Sequence, residues 1–320
     1  MTKKIITVFG ATGLQGGSVA NTFLHDPKLK DDWTVRAVTR NTTKDAAKKL
    51  EARGAEVVSA DLDDKASLIK AMEGASAVFA VTNYWEHLDK QREITQGKNL
   101  VDAAQATGVN HFIWSSLPNV TKLSNNTLTH VYHFDSKAEV EEYARAAGIP
   151  ATFFHAGFYM SNVPGKIMRP SPAHDGAWTL SLPIPPSAPV PVYDTDDTGK
   201  FIKAAVLNRD AVLGKRILGA TEYMPLDGLV DAFKRVFPEA GKTARYQQVS
   251  DEAHRDVLLN QSKLPEFVVE DLMENFEGFR RFGYYFGESL DETHKLVEDK
   301  LTTYEEFLRK ETTGFPADLK

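Results

Sequence analysis

The sequence predicts an α/β protein in which a doubly wound parallel sheet is followed by a smaller mixed α/β lobe. Three observations carry this expectation. A glycine-rich turn, Gly10-Ala11-Thr12-Gly13-Leu14-Gln15-Gly16-Gly17, stands between an apolar run and a helical stretch at the amino terminus. Strand-length apolar runs then alternate with helical patterns through the first half of the chain, the signature of a sheet covered on both faces. Beyond them proline concentrates, eight of the fifteen lying between Pro164 and Pro191. Such a stretch cannot be a helix or a central strand.

Ile5, Ile6, Val8 and Phe9 form the first strand, a β-branched and aromatic run. Ser18 to His25 then winds into a helix whose first N–H groups point back at the glycine turn, where a pyrophosphate would complete the helix end. This is a Rossmann-type cradle in which Gly10, Ala11, Thr12, Gly13, Leu14, Gln15 and Gly16 would wrap a dinucleotide. The turn demands unusual φ values, the backbone must approach phosphate oxygens without a Cβ, and the helix must pack on its strand. The spacing G-x-x-G-x-x-G is one residue longer than the usual G-x-G-x-x-G.

The second strand, Thr34 to Thr39, selects the dinucleotide. At its carboxyl end an NAD-specific protein places Asp or Glu on the ribose 2′-hydroxyl. Here Arg40 occupies that place and Lys44 follows, so two cations could reach a 2′-phosphate. NADP(H) is the expected cofactor. Asp31 and Asp32 precede the strand and lie at its opposite end.

Ala55 to Ala60 is the third strand, and Ala77 to Thr82 is a nearly continuous apolar fourth that ends in the loop Asn83-Tyr84-Trp85-Glu86-His87. A helix over Asp89 to Thr107 and a fifth strand over His111 to Ser115 follow. A helix over Lys137 to Ala147 stops at Gly148-Ile149-Pro150 before a sixth strand over Ala151 to His155. Ligands of such sheets bind beyond the strand carboxyl ends, so Arg40, Asp61 with Leu62, Thr82 to Tyr84, and Ser115 to Ser116 should converge on one edge. The expected division is a dinucleotide-binding domain over 1–156 and a smaller substrate or partner lobe over 157–320, with some C-terminal segments returning to the first domain. The proline-rich stretch reads as an irregular excursion that covers the cofactor site or builds the second lobe. After Gly214 we expect one strand and amphipathic helices, including Leu226 to Val236, Glu266 to Phe276 and Thr303 to Arg309, which bury a core and carry no chemistry.

At 320 residues the chain can hold a full sheet and a second lobe. A hydrophobic fraction of 42% and a charged fraction of 26% are those of a soluble globular protein, without an apolar run of membrane-spanning length. The apolar run after Lys3-Lys4 is too short for a signal peptide, which leads us to expect a cytoplasmic location, extending to the nucleus. With no cysteine, the chain excludes disulfides, thiol catalysis and cysteine-ligated zinc. A net charge of −6 without a basic stripe argues against direct nucleic-acid binding. A regulatory role would then pass through a protein partner, such as a transcription factor or an enzyme, or through a second copy of the chain in a homodimer.

No metal is expected. Asp194-Thr195-Asp196-Asp197-Thr198-Gly199 has the first half of a calcium loop, but Ala205 stands at the twelfth place where Glu is required, so helix capping is read instead. His130 and His133 are three apart, with no carboxylate or third histidine at metal-site spacing.

Several further motifs make the chain resemble the NmrA-like family, an atypical branch of the short-chain dehydrogenase superfamily. They are Gly10 through Val19, Thr39-Arg40-Asn41, Val81-Thr82-Asn83-Tyr84-Trp85, His133 through Tyr143, and Gly157-Phe158-Tyr159-Met160-Ser161-Asn162. The resemblance covers essentially the whole chain. It implies that the loop after the fourth strand flanks ribose and nicotinamide, that Lys137 hydrogen-bonds the nicotinamide ribose, and that Tyr159, Met160, Ser161 and Asn162 line the nicotinamide pocket. The family it implies includes a fungal nitrogen-metabolite repression regulator, NADP(H)-responsive redox sensors and quinone or secondary-metabolite reductases.

Ordinary reductases of that superfamily carry Tyr-x-x-x-Lys, whose lysine lowers the phenol pKa for proton transfer. This chain has His133-x-x-x-Lys137 instead. Tyr132, five residues from Lys137, points off the shared helical face. Ser136-x-x-Glu139 reads as a capping box, which would leave His133 before the helix. Ser115 or Ser116 sits where the superfamily's serine polarises a carbonyl. Two functions follow: a dinucleotide-gated redox sensor acting through protein partners, which the missing tyrosine favours, and an NADPH-dependent oxidoreductase of a quinone, enone or secondary-metabolite carbonyl, in which Lys137, His133 and Ser115 are the candidate catalytic residues.

Overall fold

The computed structural model of the chain describes residues 2–171 and 176–310. In chain order the strands are β1 (Lys4–Val8), β2 (Trp33–Thr39), β3 (Glu56–Ser59), β4 (Ala77–Ala80), β5 (His111–Ser116) and β6 (Ala151–Ala156). They continue with β7 (Phe158–Tyr159), β8 (Met168–Ser171), β9 (Ala177–Leu182), β10 (Pro189–Tyr193), β11 (Arg216–Gly219), β12 (Glu222–Pro225) and β13 (Arg245–Gln248). Helices α1 (Leu14–His25), α2 (Asp45–Ala52), α3 (Lys65–Met72), α4 (Tyr84–His87), α5 (Lys90–Thr107), α6 (Val120–Leu123) and α7 (Tyr132–Ala146) lie among the first strands. The later helices are α8 (Thr198–Leu207), α9 (Arg209–Val212), α10 (Leu226–Val236), α11 (Pro238–Gly241), α12 (Asp251–Asp256), α13 (Glu266–Phe282), α14 (Asp291–Leu296) and α15 (Tyr304–Lys310).

The main sheet has the order β3-β2-β1-β4-β5-β6-β11, with every pairing parallel. The order reverses between β1 and β4, which opens a crevice at their carboxyl ends. Apolar side chains of the sheet pack on both faces. On one, Phe23 of α1 and Phe201 of α8 close over Phe79 and Phe154. On the other, Leu68, Leu100 and Val140 cover Phe112 and Phe153. The doubly wound fold expected from the alternating pattern is thus present. Its last strand, β11, comes from well beyond the sixth strand and pairs with β6 from Arg216↔Phe153 to Gly219↔Ala156.

Two three-stranded sheets, β12-β10-β7 and β13-β9-β8, build the smaller lobe around Trp178, Leu180, Val192 and Phe233. The proline-rich stretch is therefore not an irregular excursion; residues 172–175 within it lie outside the described residues. β10 is a central strand despite Pro189 and Pro191. The Val192 carbonyl accepts from Thr221 N–H at 2.8 Å on the β12 side. Backbone direction alternates along a strand, so both prolines turn their missing donors away from that ladder, while β7 pairs only from Val192 onward. The single strand expected after Gly214 is likewise corrected to β11, β12 and β13. Among the described residues no helix is long and apolar enough to cross a membrane.

Two helix starts differ from the sequence expectation. Helix α1 begins at Leu14 rather than Ser18, because Gly17 N–H already reaches Gly13 O at 2.9 Å. Helix α7 begins at Tyr132, and His133 is therefore helical and four residues from Lys137 on one face. The apparent capping box is used elsewhere. Ser136 donates its hydroxyl to Glu93 on α5, and Asp135 accepts the Val120 and Thr121 N–H groups at 2.7 and 3.2 Å, fastening α6.

Candidate functional site

The glycine turn leaves β1 and enters α1 with its amides open toward the crevice. Gly10 has φ +65°, and Gly13 N–H closes the turn on Gly10 O at 2.8 Å. A Cβ on Gly16 would stand 2.3 Å from Gly10 O, so only glycine lets the helix start against the turn. With Gly13 at the N-cap, no side chain caps α1. An uncapped helix end with a glycine approach fits a pyrophosphate. Thr12, Leu14 and Gln15 line the same opening, while Ala11 is buried in the core behind it.

Arg40 and Lys44 both reach the cavity from the end of β2 and the N-cap of α2. Arg40 is not an isolated cation. Its Nη1 lies 2.5 Å from Glu86 Oε1, which the loop after β4 brings across the crevice. Asp61 and Leu62 form the neighbouring wall, with Asp61 Oδ1 accepting Asp63 N–H at 2.9 Å.

Thr82, Asn83 and Tyr84 follow β4 into the cavity wall. Thr82 begins a buried polar network: its hydroxyl donates to Glu93 Oε1 at 2.7 Å. The same Glu93 oxygen accepts from Lys137 Nζ, and Ser136 Oγ donates to the other. Lys137 Nζ also donates to Thr82 O at 3.3 Å and Thr82 Oγ1 at 3.2 Å. An ammonium has three protons, and here three acceptors surround it.

One turn away on α7, His133 Nδ1 is held by Asp271 Oδ1, and His133 N–H donates to Asp271 Oδ2 at 3.2 Å. Asp271 is fully buried. Trp85 lies over the imidazole, with 4.9 Å between ring centroids, and Tyr84 is 6.2 Å away. The Tyr84 hydroxyl is buried without a partner among the described residues. Burial first, then the Asp271 and Glu93 charges, pushes its phenol well above the ordinary tyrosine range, so it stays protonated.

Ser115 does not offer its proton to the cavity. Its hydroxyl donates to Gln15 Oε1 at 2.7 Å, and Gln15 Nε2 donates to Tyr159 OH at 2.6 Å. Of the four residues that the resemblance placed on the nicotinamide side, Tyr159 and Asn162 line the cavity. Met160 instead packs in the second-lobe core with Val163 and Met168, and Ser161 is also off the cavity wall.

These groups share one cavity of about 920 Å³ that runs from the glycine turn past Lys137 and His133 to α13. Leu272, Phe276 and Phe279, on one stripe of α13, line it together with Tyr284. The helix expected only to bury a core thus supplies Asp271 to His133 as well as this apolar wall. The available signal was an aspartate inside the apolar stripe Val268, Leu272, Phe276 and Phe279. Glu93 was also missed, although it sits four residues before Gly97 on the buried face of α5.

Tertiary packing brings Glu270 and Glu274 close enough to His130 for the three to hold a cation. Glu274 already accepts His130 Nδ1 at 2.6 Å, and Glu270 accepts Arg255 Nη1 at 2.9 Å.

The family profile described as the NmrA-like family matches residues 2–308. An NmrA-like family domain-containing oxidoreductase of Aspergillus flavus is 31% identical over 262 residues, covering 77% of this chain and 76% of that protein. Among solved structures, a negative transcriptional regulator, NmrA, in complex with NADP is similar with a TM-score of 0.80 at 25% identity, covering 97% of this chain and 96% of that one. An NADPH-dependent quinone oxidoreductase of Escherichia coli, complexed with NADPH, shares the fold at a TM-score of 0.74 and 23% identity, covering 95% and 99%.

Proposed function

This chain belongs to the NmrA-like family, and from that premise we propose that it is an NADPH-dependent reductase of an apolar conjugated carbonyl, a quinone or an enone. The observation that carries the reading is an apolar chamber wall. Besides the residues of the dinucleotide crevice, the same cavity is lined by Phe158, Leu272, Phe276, Phe279 and Tyr284. A regulator that only senses its cofactor has no need of such a chamber, whereas an apolar co-substrate does.

In this reading Gly10, Gly13, Gly16 and the first turn of α1 hold the pyrophosphate, and Arg40 with Lys44 holds the 2′-phosphate. Asp61 and Leu62 border the adenosine half, and Thr82, Asn83, Tyr84, Tyr159 and Asn162 border the nicotinamide half. The bound cofactor supplies a hydride. The chain walls the reacting centre with the apolar stripe of α13 and orients the carbonyl against His133.

The regulator reading is supported by the likeness to NADP-bound NmrA and by the absent tyrosine. It places the function in a cofactor-dependent change of affinity for a protein partner or a second copy. One experiment separates the two: NADPH consumption against quinones, enones and aldehydes, alongside light scattering and limited proteolysis of apo and cofactor-saturated protein. Turnover with an apolar quinone or enone is expected. Absence of turnover across the series, with a cofactor-dependent change in assembly or cleavage, would replace the reductase by the regulator.

A further inference from the structure

We propose that Asp271 and His133 form an oriented acid pair that replaces the missing tyrosine, with His133 Nε2 as the proton donor and Asp271 as its positioning residue. The inference rests on the reductase reading and deepens it. It begins with exclusion. Lys137 has its ammonium directed at Glu93 Oε1, Thr82 O and Thr82 Oγ1, and the Glu93 carboxylate balances its charge. It has no proton left for a substrate and no uncompensated field with which to acidify a phenol. Ser115 is directed at Gln15, and burial with two nearby carboxylates makes the Tyr84 phenol a weaker acid than an ordinary tyrosine.

His133 differs from all of these. Asp271 takes both its backbone N–H and its Nδ1, so the imidazole is fixed in rotation and in tautomer. Nε2 is the ring nitrogen that Asp271 does not engage, on a side chain that lines, beside Trp85, the same cavity as the apolar residues of α13. The fully buried Asp271 carboxylate behind the ring leaves Nε2 as the nitrogen turned away from it. Asp271 itself touches neither cofactor nor substrate.

The step balances as follows. As the carbonyl carbon gains the hydride that bound NADPH supplies, its C=O π pair moves to oxygen. The Nε2–H bond breaks, its proton joins that oxygen, and the electron pair stays on Nε2. The product is an alcohol with oxidised cofactor; in a conjugate reduction the hydride joins the β carbon instead, the C=C π pair moves to the bond between Cα and the carbonyl carbon, the C=O π pair moves to oxygen, and that oxygen takes the same Nε2 proton to give an enol. The neutral imidazole keeps its Nδ1–H on Asp271, and solvent restores the Nε2 proton.

The test has one arm that does not need turnover. In ¹⁵N spectra of histidine-labelled full-length protein, with the His133 signals assigned by their loss in His133→Gln, neutral His133 is expected as the Nδ1–H tautomer. In Asp271→Asn it is expected to lose that preference. In kinetics, His133→Gln and Asp271→Asn should each lower kcat on the order of 10²- to 10⁴-fold while the NADPH dissociation constant, read by fluorescence, stays within about threefold. An Nε2–H tautomer in the unmutated protein overturns the pair even if Asp271→Asn fails to fold. So does a kcat within about twofold of the parent in either variant. If the parent turns over no carbonyl while the Nδ1–H tautomer is observed, the reductase reading has failed and takes the proton-donor role with it, and the failure is distinguishable from a wrong geometry.

Discussion

Glu93 on α5 and Lys137 on α7 form an ion pair that is almost wholly withdrawn from water, with side-chain exposures of 2% and 12%. Thr82 and Ser136 complete the carboxylate's hydrogen bonds at the end of β4 and inside α7. Lys137 therefore fastens the β4 loop to α7 before any ligand arrives. Breaking either partner leaves the other charge buried alone.

Lys137→Met and Glu93→Gln should each destabilise the protein by about 3–5 kcal/mol, and the double variant by clearly less than the sum. Urea unfolding of all four proteins measures the coupling. Additive losses would show that the pair is not a unit.

Arg40 and Glu86 make opposite demands on a 2′-phosphate. Arg40→Ala should weaken NADPH by roughly ten- to a hundredfold and leave NADH nearly unchanged, because charge-assisted bonds to the phosphate are lost. Glu86→Gln should strengthen NADPH by roughly two- to fivefold, since it removes a carboxylate from Arg40 at a half-exposed site. Calorimetry with both cofactors decides this, and unchanged NADPH affinity in both variants would mean that neither residue meets the phosphate.

Glu141 on α7 predicts an acid-sensitive core. Burial alone would raise its carboxyl, but the hydrogen bond and charge of His155 and the charge of Arg216 outweigh that and hold it down at about 2. The group is depressed on folding from an ordinary value of 4.5, so its contribution is complete above that pH and is lost as pH falls toward 2. Glu141→Gln should cost roughly 3 kcal/mol at neutral pH and flatten the stability profile across that window. Denaturant unfolding at stepped pH checks it; parallel profiles for parent and variant would be the contrary result.

The apolar chamber is tested by filling it. Leu272→Trp should raise KM for a bulky quinone by about tenfold or more while NADPH affinity holds, because the indole occupies substrate space in the cavity. An equal loss of cofactor affinity would place Leu272 against the dinucleotide instead.

The parallel sheet, the glycine turn at Gly10 to Gly16 and the edge on which Arg40, Asp61 and Thr82 meet are legible in the amino-acid sequence. Those features rest on local rules: strand and helix periods, a turn that only glycine permits, and ligand sites at strand carboxyl ends. The sequence also exposed the loss of the tyrosine at His133. Tertiary structure alone decided what that loss means. Ser136 reads locally as a helix-start residue, yet its side chain bonds across to α5 and α7 begins earlier, at Tyr132, which makes His133 helical. Asp271 follows His133 by 138 residues, and Glu93 precedes Lys137 by 44. Partners that far apart leave no periodic trace, because each helix shows only which of its faces is buried. The prolines of β10 teach the same lesson in reverse: a residue that breaks a ladder in general is harmless where its missing donor has no acceptor to meet.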